Sequence, residues 1–152
     1  MTIKNRLEEL GLVLPPPPEP AAHYRPWVRD GDIIYLAGQT PKKGTELQYI
    51  GQVGAELDLN AGRAAAGLCA LRLLSALQEA VGDLNKVTQI SKLTVFVNAA
   101  QGFADHPKVA NGASDLISAV MGDVGLHARS AVGVSSLPGN AAVEVEMIAR
   151  CQ

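Results

Sequence analysis

Charge enters the closing segments of this chain at few places, and the residue types found there could do chemistry together. Arg129 carries a planar fork of donors able to hold a carboxylate through two parallel hydrogen bonds. Glu144 and Glu146 alternate with Val143, Val145 and Met147, so on an extended strand both carboxylates lie on one face. A carboxylate beside a bound electrophile can take a proton from water and stabilise positive charge. Taken alone, an arginine of this kind reads as a surface ion-pair residue, and an alternating strand glutamate as a solvated one.

The elements that must position these groups follow from the hydrophobic pattern. Thr2 caps a short helix with Ile3, Leu7 and Leu10 on one side and Gly11 after it, an appendage by its composition. Pro15 to Pro18 and Pro20 force an extended spacer along a surface. Residues 1–22 thus form an extension and residues 23–152 the compact domain. Asp30-Gly31-Asp32 is a turn before the apolar strand 33–37, ended by Gly38, where a backbone or a ligand could come close. Leu47 to Val53 reads as its hairpin partner. Asn60 caps a long Ala/Leu helix ending at Val81, with Gly82 behind it and Arg72, Ser75 and Glu79 in one polar stripe. Gly62 and Gly67 inside it suggest close packing against a sheet, since each costs about 1 kcal/mol relative to alanine. Residues 87–98 read as a strand, and Asp105 and Pro107 open a second helix to about Met121. Two β-branched runs flanking Leu137-Pro138-Gly139-Asn140 then form an antiparallel hairpin. The order β-β-α-β-α-β-β defines an α+β domain with two helices on one sheet face, leaving the other face partly apolar and in need of a partner.

Composition narrows the function. With 13 basic and 15 acidic residues, a formal net charge of −2 and no basic cluster, nucleic acid is a poor partner. Cys69 and Cys151 form no CxxC, and His23, His106 and His127 have no carboxylate or cysteine at metal-ligand spacing, so no disulfide, metal or cofactor is expected. The N-terminus lacks a leader pattern, and no run reaches the roughly 20 apolar residues of a membrane span, which points to a cytoplasmic protein with no membrane partner.

The run Ala128-Arg129-Ser130-Ala131-Val132-Gly133-Val134, then Leu137-Pro138, then Val143 to Ala149, resembles the closing signature of the reactive-intermediate deaminases, the RidA/YjgF family. Ala37-Gly38-Gln39-Thr40-Pro41 is similar to that family's Ser-Gly-Gln-x-Pro element, and the resemblance extends from about Tyr24 to Ala149. It implies a chorismate-mutase-like fold, a homotrimer with clefts between subunits, and hydrolysis of 2-imino acids or their enamine tautomers to 2-keto acids and ammonia without a cofactor. By the same resemblance, Arg129 binds the substrate carboxylate and Glu144 positions or activates water. Tyr24, Gly38, Asn111 and Ala131 line the site, Gly38 and Ala131 through backbone donors. Ala37 replaces a common serine and Ala131 a common cysteine, which bears on substrate preference. His127 reads as a structural neighbour of Arg129.

A hairpin would place Arg129 opposite Arg150, six positions from Glu144, about 20 Å at roughly 3.3 Å per residue. The two groups would then meet only across a subunit boundary. Two other functions compete with the deaminase: a non-catalytic trimer binding small carboxylates, and the ribonuclease or translation inhibitor attached to the family by name, which the charge balance disfavours.

Overall fold

The computed structural model describes residues 1–20 and 22–152. The chain runs α1 (Ile3–Glu9), β1 (Trp27–Asp30), β2 (Ile33–Gln39), β3 (Lys42–Lys43), β4 (Glu46–Leu47), α2 (Leu59–Val81), β5 (Val87–Asn98), α3 (His106–Met121), β6 (Ala128–Val134) and β7 (Val143–Cys151). Five strands make one mixed sheet in the order β1-β2-β7-β5-β6, while β3 and β4 form a separate two-residue ribbon. The fold is thus α+β, and α2 and α3 pack on each other and cover one sheet face.

Burial explains why β7 is central. Val143, Val145, Met147, Ala149 and Cys151 are all within 2 % of full burial, so this strand needs a partner on each side. It finds them in β2 and β5, both antiparallel to it. The expected hairpin of the last two strands is therefore not formed: β6 pairs in parallel with β5, through the α3 crossover, and lies at the sheet edge. Residues 135–142 carry the chain across, with Gly139 (φ +65°) and Asn140 (φ +60°) in left-handed conformation.

Other local readings shift for identifiable reasons. Residues 47–53 do not form a strand beside β2, because Tyr49 (φ +54°) and Gly51 (φ +127°) break the extended backbone, and β2 is already paired by β1 and β7. Helix α2 is capped by Asp58 rather than Asn60, its Oδ1 accepting from the Ala61 N–H at 2.8 Å. The close packing signalled by Gly62 and Gly67 is directed mainly at α3: a Cβ on Gly62 would touch Val53 and Val109, and one on Gly67 would meet the Gly112 carbonyl and Leu116. Helix α2 also has the length and mean hydropathy of a membrane span, where the residue pattern suggested none. About 56 % of that window is buried within the fold, as in a core helix.

The N-terminal helix is docked. Thr2 caps it, accepting from the Asn5 N–H at 3.2 Å, Ile3 is buried, and Arg6 donates to the Val120 carbonyl at 3.4 Å. Beyond it, the Pro15 carbonyl accepts a hydrogen bond from Ser75 Oγ on α2. The outer sheet face presents Val28, Tyr35 and Val132 to solvent, each at least 44 % exposed.

Candidate active site

Glu144 stands at the head of β7, half-buried, opposite Phe96 of β5. It shares the outer face with Glu146, as the alternation required. Burial first, and Glu146 second, push its carboxyl pKa above the ordinary value. Gly38 lies against it: a Cβ there would come within 2.7 Å of Glu144 Oε1, so any side chain at this position would displace the carboxylate. Glu144 and Gly38 line a cavity of about 230 Å³ with Tyr24, Thr40, Arg72 and Pro138. Tyr24, 59 % exposed, sits at its rim.

The raised pKa gives a stability prediction with a definite sign. The folded state holds the Glu144 proton more tightly than the unfolded chain, so stability is lost as pH rises from the unfolded pKa through the folded one. Glu144→Gln is expected to raise the melting temperature at about pH 7.5 and to change it little at about pH 3.5, below the ordinary carboxyl range. Melting curves at both pH values check this; equal shifts at both would contradict it.

Arg129 is built differently. Its partner across the ladder is Leu93, which is fully buried, so the side chain starts on the inner, helix-covered face. From there Nη1 donates to Asn111 Oδ1 (2.9 Å) and Ser114 Oγ (3.1 Å), and Nη2 reaches the Pro107 carbonyl (3.5 Å), all on α3. His127 completes the chain of contacts. Its Nδ1 lies 2.6 Å from the Gly125 carbonyl, which can only accept, so Nδ1 carries the proton and Nε2 accepts from Ser114 Oγ at 2.9 Å. His127 is thus a neighbour acting through Ser114. Among the described residues nothing bonds to Arg129 Nε, which with the second Nη2 proton leaves a side-on pair of donors for a carboxylate.

The residues expected at the site therefore fall into two groups. Tyr24, Gly38 and Glu144 are together at one cavity, whereas Arg129 and Asn111 are together at the β6 edge, with half-buried Ala131 two positions along the same strand. The groups do not meet within one chain. Arg129 and Glu144 pair with β5 positions 93 and 96, on opposite sheet faces. Three positions along β5 and two strand spacings put their backbones about 14 Å apart. The separation expected from a hairpin thus holds for another reason, the insertion of β5 between the two strands.

Arg72 was legible only as part of a polar stripe. Each member of that stripe ties down a different segment: Arg72 Nη1 donates to the Thr40 carbonyl (2.7 Å), Ser75 holds Pro15, and Glu79 Oε2 accepts from Trp27 Nε1 (3.1 Å). Its signal was a long cation on a helix whose other faces are apolar.

Comparison with known proteins agrees with this architecture. A family model described as "YjgF/chorismate_mutase-like, putative endoribonuclease" matches residues 4–151. The chain is 47 % identical to Protein TCP17 of Trypanosoma cruzi over 147 residues, which span 96 % of this chain and 92 % of that protein. Among solved structures, it is similar to protein Atu1372 of Agrobacterium tumefaciens (40 % identity, TM-score 0.93, covering 99 % of this chain and 92 % of that one). A Shewanella oneidensis structure described as a "putative endoribonuclease" is 33 % identical, with TM-score 0.94 and 99 % of each chain covered. The chain belongs to the RidA/YjgF family.

Proposed function

We propose that the protein hydrolyses small 2-imino acids and their enamine tautomers to 2-keto acids and ammonia, in clefts between the subunits of a homotrimer. The observation that carries this reading is Arg129, held by three acceptors of α3 with its Nε edge free for a carboxylate. A neighbouring chain supplies Glu144, with Gly38 and Tyr24, from its outer sheet face. The exposed Val28, Tyr35 and Val132 on that face give subunits an apolar surface to bury.

In the reaction, Arg129 fixes the substrate carboxylate, with Asn111 orienting the guanidinium. Water adds to C2 of the protonated imine while the Glu144 carboxylate takes its proton, forming a neutral carbinolamine. Glu144 returns that proton to nitrogen, the C–N bond breaks and ammonia leaves, and the carbinolamine hydroxyl gives its proton to the Glu144 carboxylate as the C2–O bond becomes a carbonyl. One water is consumed for each keto acid and ammonia formed. A carboxyl pKa above the usual range favours this exchange, because the conjugate acid must also be accessible. By the family resemblance, backbone N–H groups at Gly38 and Ala131 serve as donors to the polarised oxygen.

The testing experiment generates imines from several amino acids with an amino-acid oxidase and follows keto-acid release with and without the protein. Acceleration in proportion to protein concentration is expected; release at the uncatalysed rate for every imine would contradict catalysis and leave carboxylate binding. The endoribonuclease of the family description predicts cleavage of single-stranded RNA. With a net charge of −2, no cleavage and no salt-sensitive RNA binding are expected from the purified protein.

A further prediction concerns Arg129 through its support. His127→Ala removes the acceptor that orients Ser114, and is expected to raise KM for the imine by about tenfold with a smaller change in kcat, because it loosens the carboxylate clamp. An unchanged KM in steady-state kinetics would remove His127 from this role.

A further inference from the structure

We propose that Arg72 is a second anion anchor in the Glu144 cavity, which directs the site toward substrates with an acidic side chain, 2-imino diacids above all. The inference deepens the deaminase reading for its chemistry, but its binding component stands apart from catalysis.

Arg72 leaves the polar stripe of α2 and lines the cavity with Lys42, Thr40, Gly38 and Glu144. One of its nitrogens is occupied, Nη1 by the Thr40 carbonyl. No carboxylate among the described residues lies within ion-pairing distance of it; the ion pairs are Arg63 with Asp115 and Lys108 with Asp105. A half-buried guanidinium without an ion-paired carboxylate is better satisfied when an anion completes its donor set. Burial lowers its pKa from the ordinary value, in keeping with that cost.

Arg72 also leaves Glu144 unpaired. No ion pair joins the two among the described residues, and burial and then Glu146 raise the Glu144 carboxyl pKa, in keeping with that. The base and the second cation are therefore separate in function. Pro18 and Glu19 line the same cavity, on a segment fastened to α2 through Ser75 and Pro15. A volume of about 230 Å³ suits a small guest. With the 2-carboxylate on the neighbouring chain's Arg129, a side-chain carboxylate is the group left to meet Arg72 and Lys42.

The test uses the full-length protein in two arms. In the first, calorimetry compares 2-oxoglutarate and oxaloacetate with 2-oxobutanoate on wild type, Arg72→Met and Arg72→Lys. The diacids are expected to bind wild type about tenfold or more tighter than the monoacid, with the ratio collapsing in Arg72→Met and partly retained in Arg72→Lys. In the second arm, oxidase-generated imines of glutamate and of 2-aminobutyrate are compared as a ratio of kcat/KM, with the same ordering expected. Equal binding of mono- and diacids to wild type, or a diacid preference that survives in Arg72→Met, would overturn the assignment. Arg72-dependent diacid binding without hydrolysis of any imine would retain Arg72 as an anchor and remove the deaminase. Hydrolysis with no preference for the acidic imine would do the reverse.

Discussion

Arg129→Ala is expected to reduce imine hydrolysis to background while leaving the protein folded. The guanidinium is the group that fixes the substrate carboxylate, and removing it forfeits both the charge and the alignment of C2 with water. Truncating one partner of a hydrogen-bonded charge pair costs about 3–5 kcal/mol, or roughly 10²–10⁴-fold in kcat/KM. The fold should tolerate the change, because the side chain is partly exposed at the sheet edge and its partners Asn111, Ser114 and the Pro107 carbonyl can turn to water. Arg129→Lys is expected to recover little, since a point charge cannot reproduce the fork. Steady-state rates with a circular-dichroism control measure this. Near-wild-type rates from a folded Arg129→Ala protein would sink the role.

The largest expected effect on stability lies at the crossing of the two long helices. A Cβ on Gly112 would collide with the Arg63 carbonyl oxygen and come within 2.8 Å of Arg63 C and 2.9 Å of its Cα, all backbone atoms of α2. Helix propensity alone would make Gly112→Ala stabilising by about 1 kcal/mol. The clash reverses that sign, because α2 cannot move without unpacking Ala65, Ala66 and Cys69 from the core. A loss of about 3 kcal/mol or more is expected, seen as a fall in melting temperature of about 6–12 °C. Gly67 is the control on the facing helix. Its Cβ would meet the Gly112 carbonyl at 3.5 Å and Leu116 Cδ1 at 3.9 Å, ordinary contacts, so Gly67→Ala should be neutral or stabilising. Two substitutions of the same type with opposite signs would identify this crossing as the tightest point of the fold. A stable Gly112→Ala protein would deny it.

These examples show which parts of the molecule local pattern reveals. Strand β5 and helix α3 were legible almost to the residue, because the apolar alternation of 87–98 and the Asp105-Pro107 start are local signals. The pairing of β6 was not. Two apolar runs flanking turn residues describe a hairpin equally well as two strands parted by a third, and the choice depended on β7 needing partners on both sides. Residues 47–53 misled because Tyr49 takes a left-handed conformation that its residue type gives no hint of. At the site, Glu144, Gly38, Tyr24, Arg129 and Asn111 could be named as one set from the family motif, but their division into two groups could not. His127 was legible as a neighbour of Arg129, but Arg72 and the Ser114 link were not, because they arise where α2 meets the Thr40 loop and α3 meets β6 rather than from any spacing along the chain.

Subunit complementation tests the central claim most directly. Arg129→Ala and Glu144→Ala chains, each inactive alone, are coexpressed with different tags, and doubly tagged assemblies are assayed for imine hydrolysis. If each cleft takes Arg129 from one chain and Glu144 from its neighbour, every mixed trimer holds one intact cleft. Random assembly in equal amounts should then restore about a quarter of the wild-type rate per chain before the tag selection, and about a third after it. A site contained within one chain would give no recovery. Doubly tagged trimers as inactive as their parents would contradict the shared cleft.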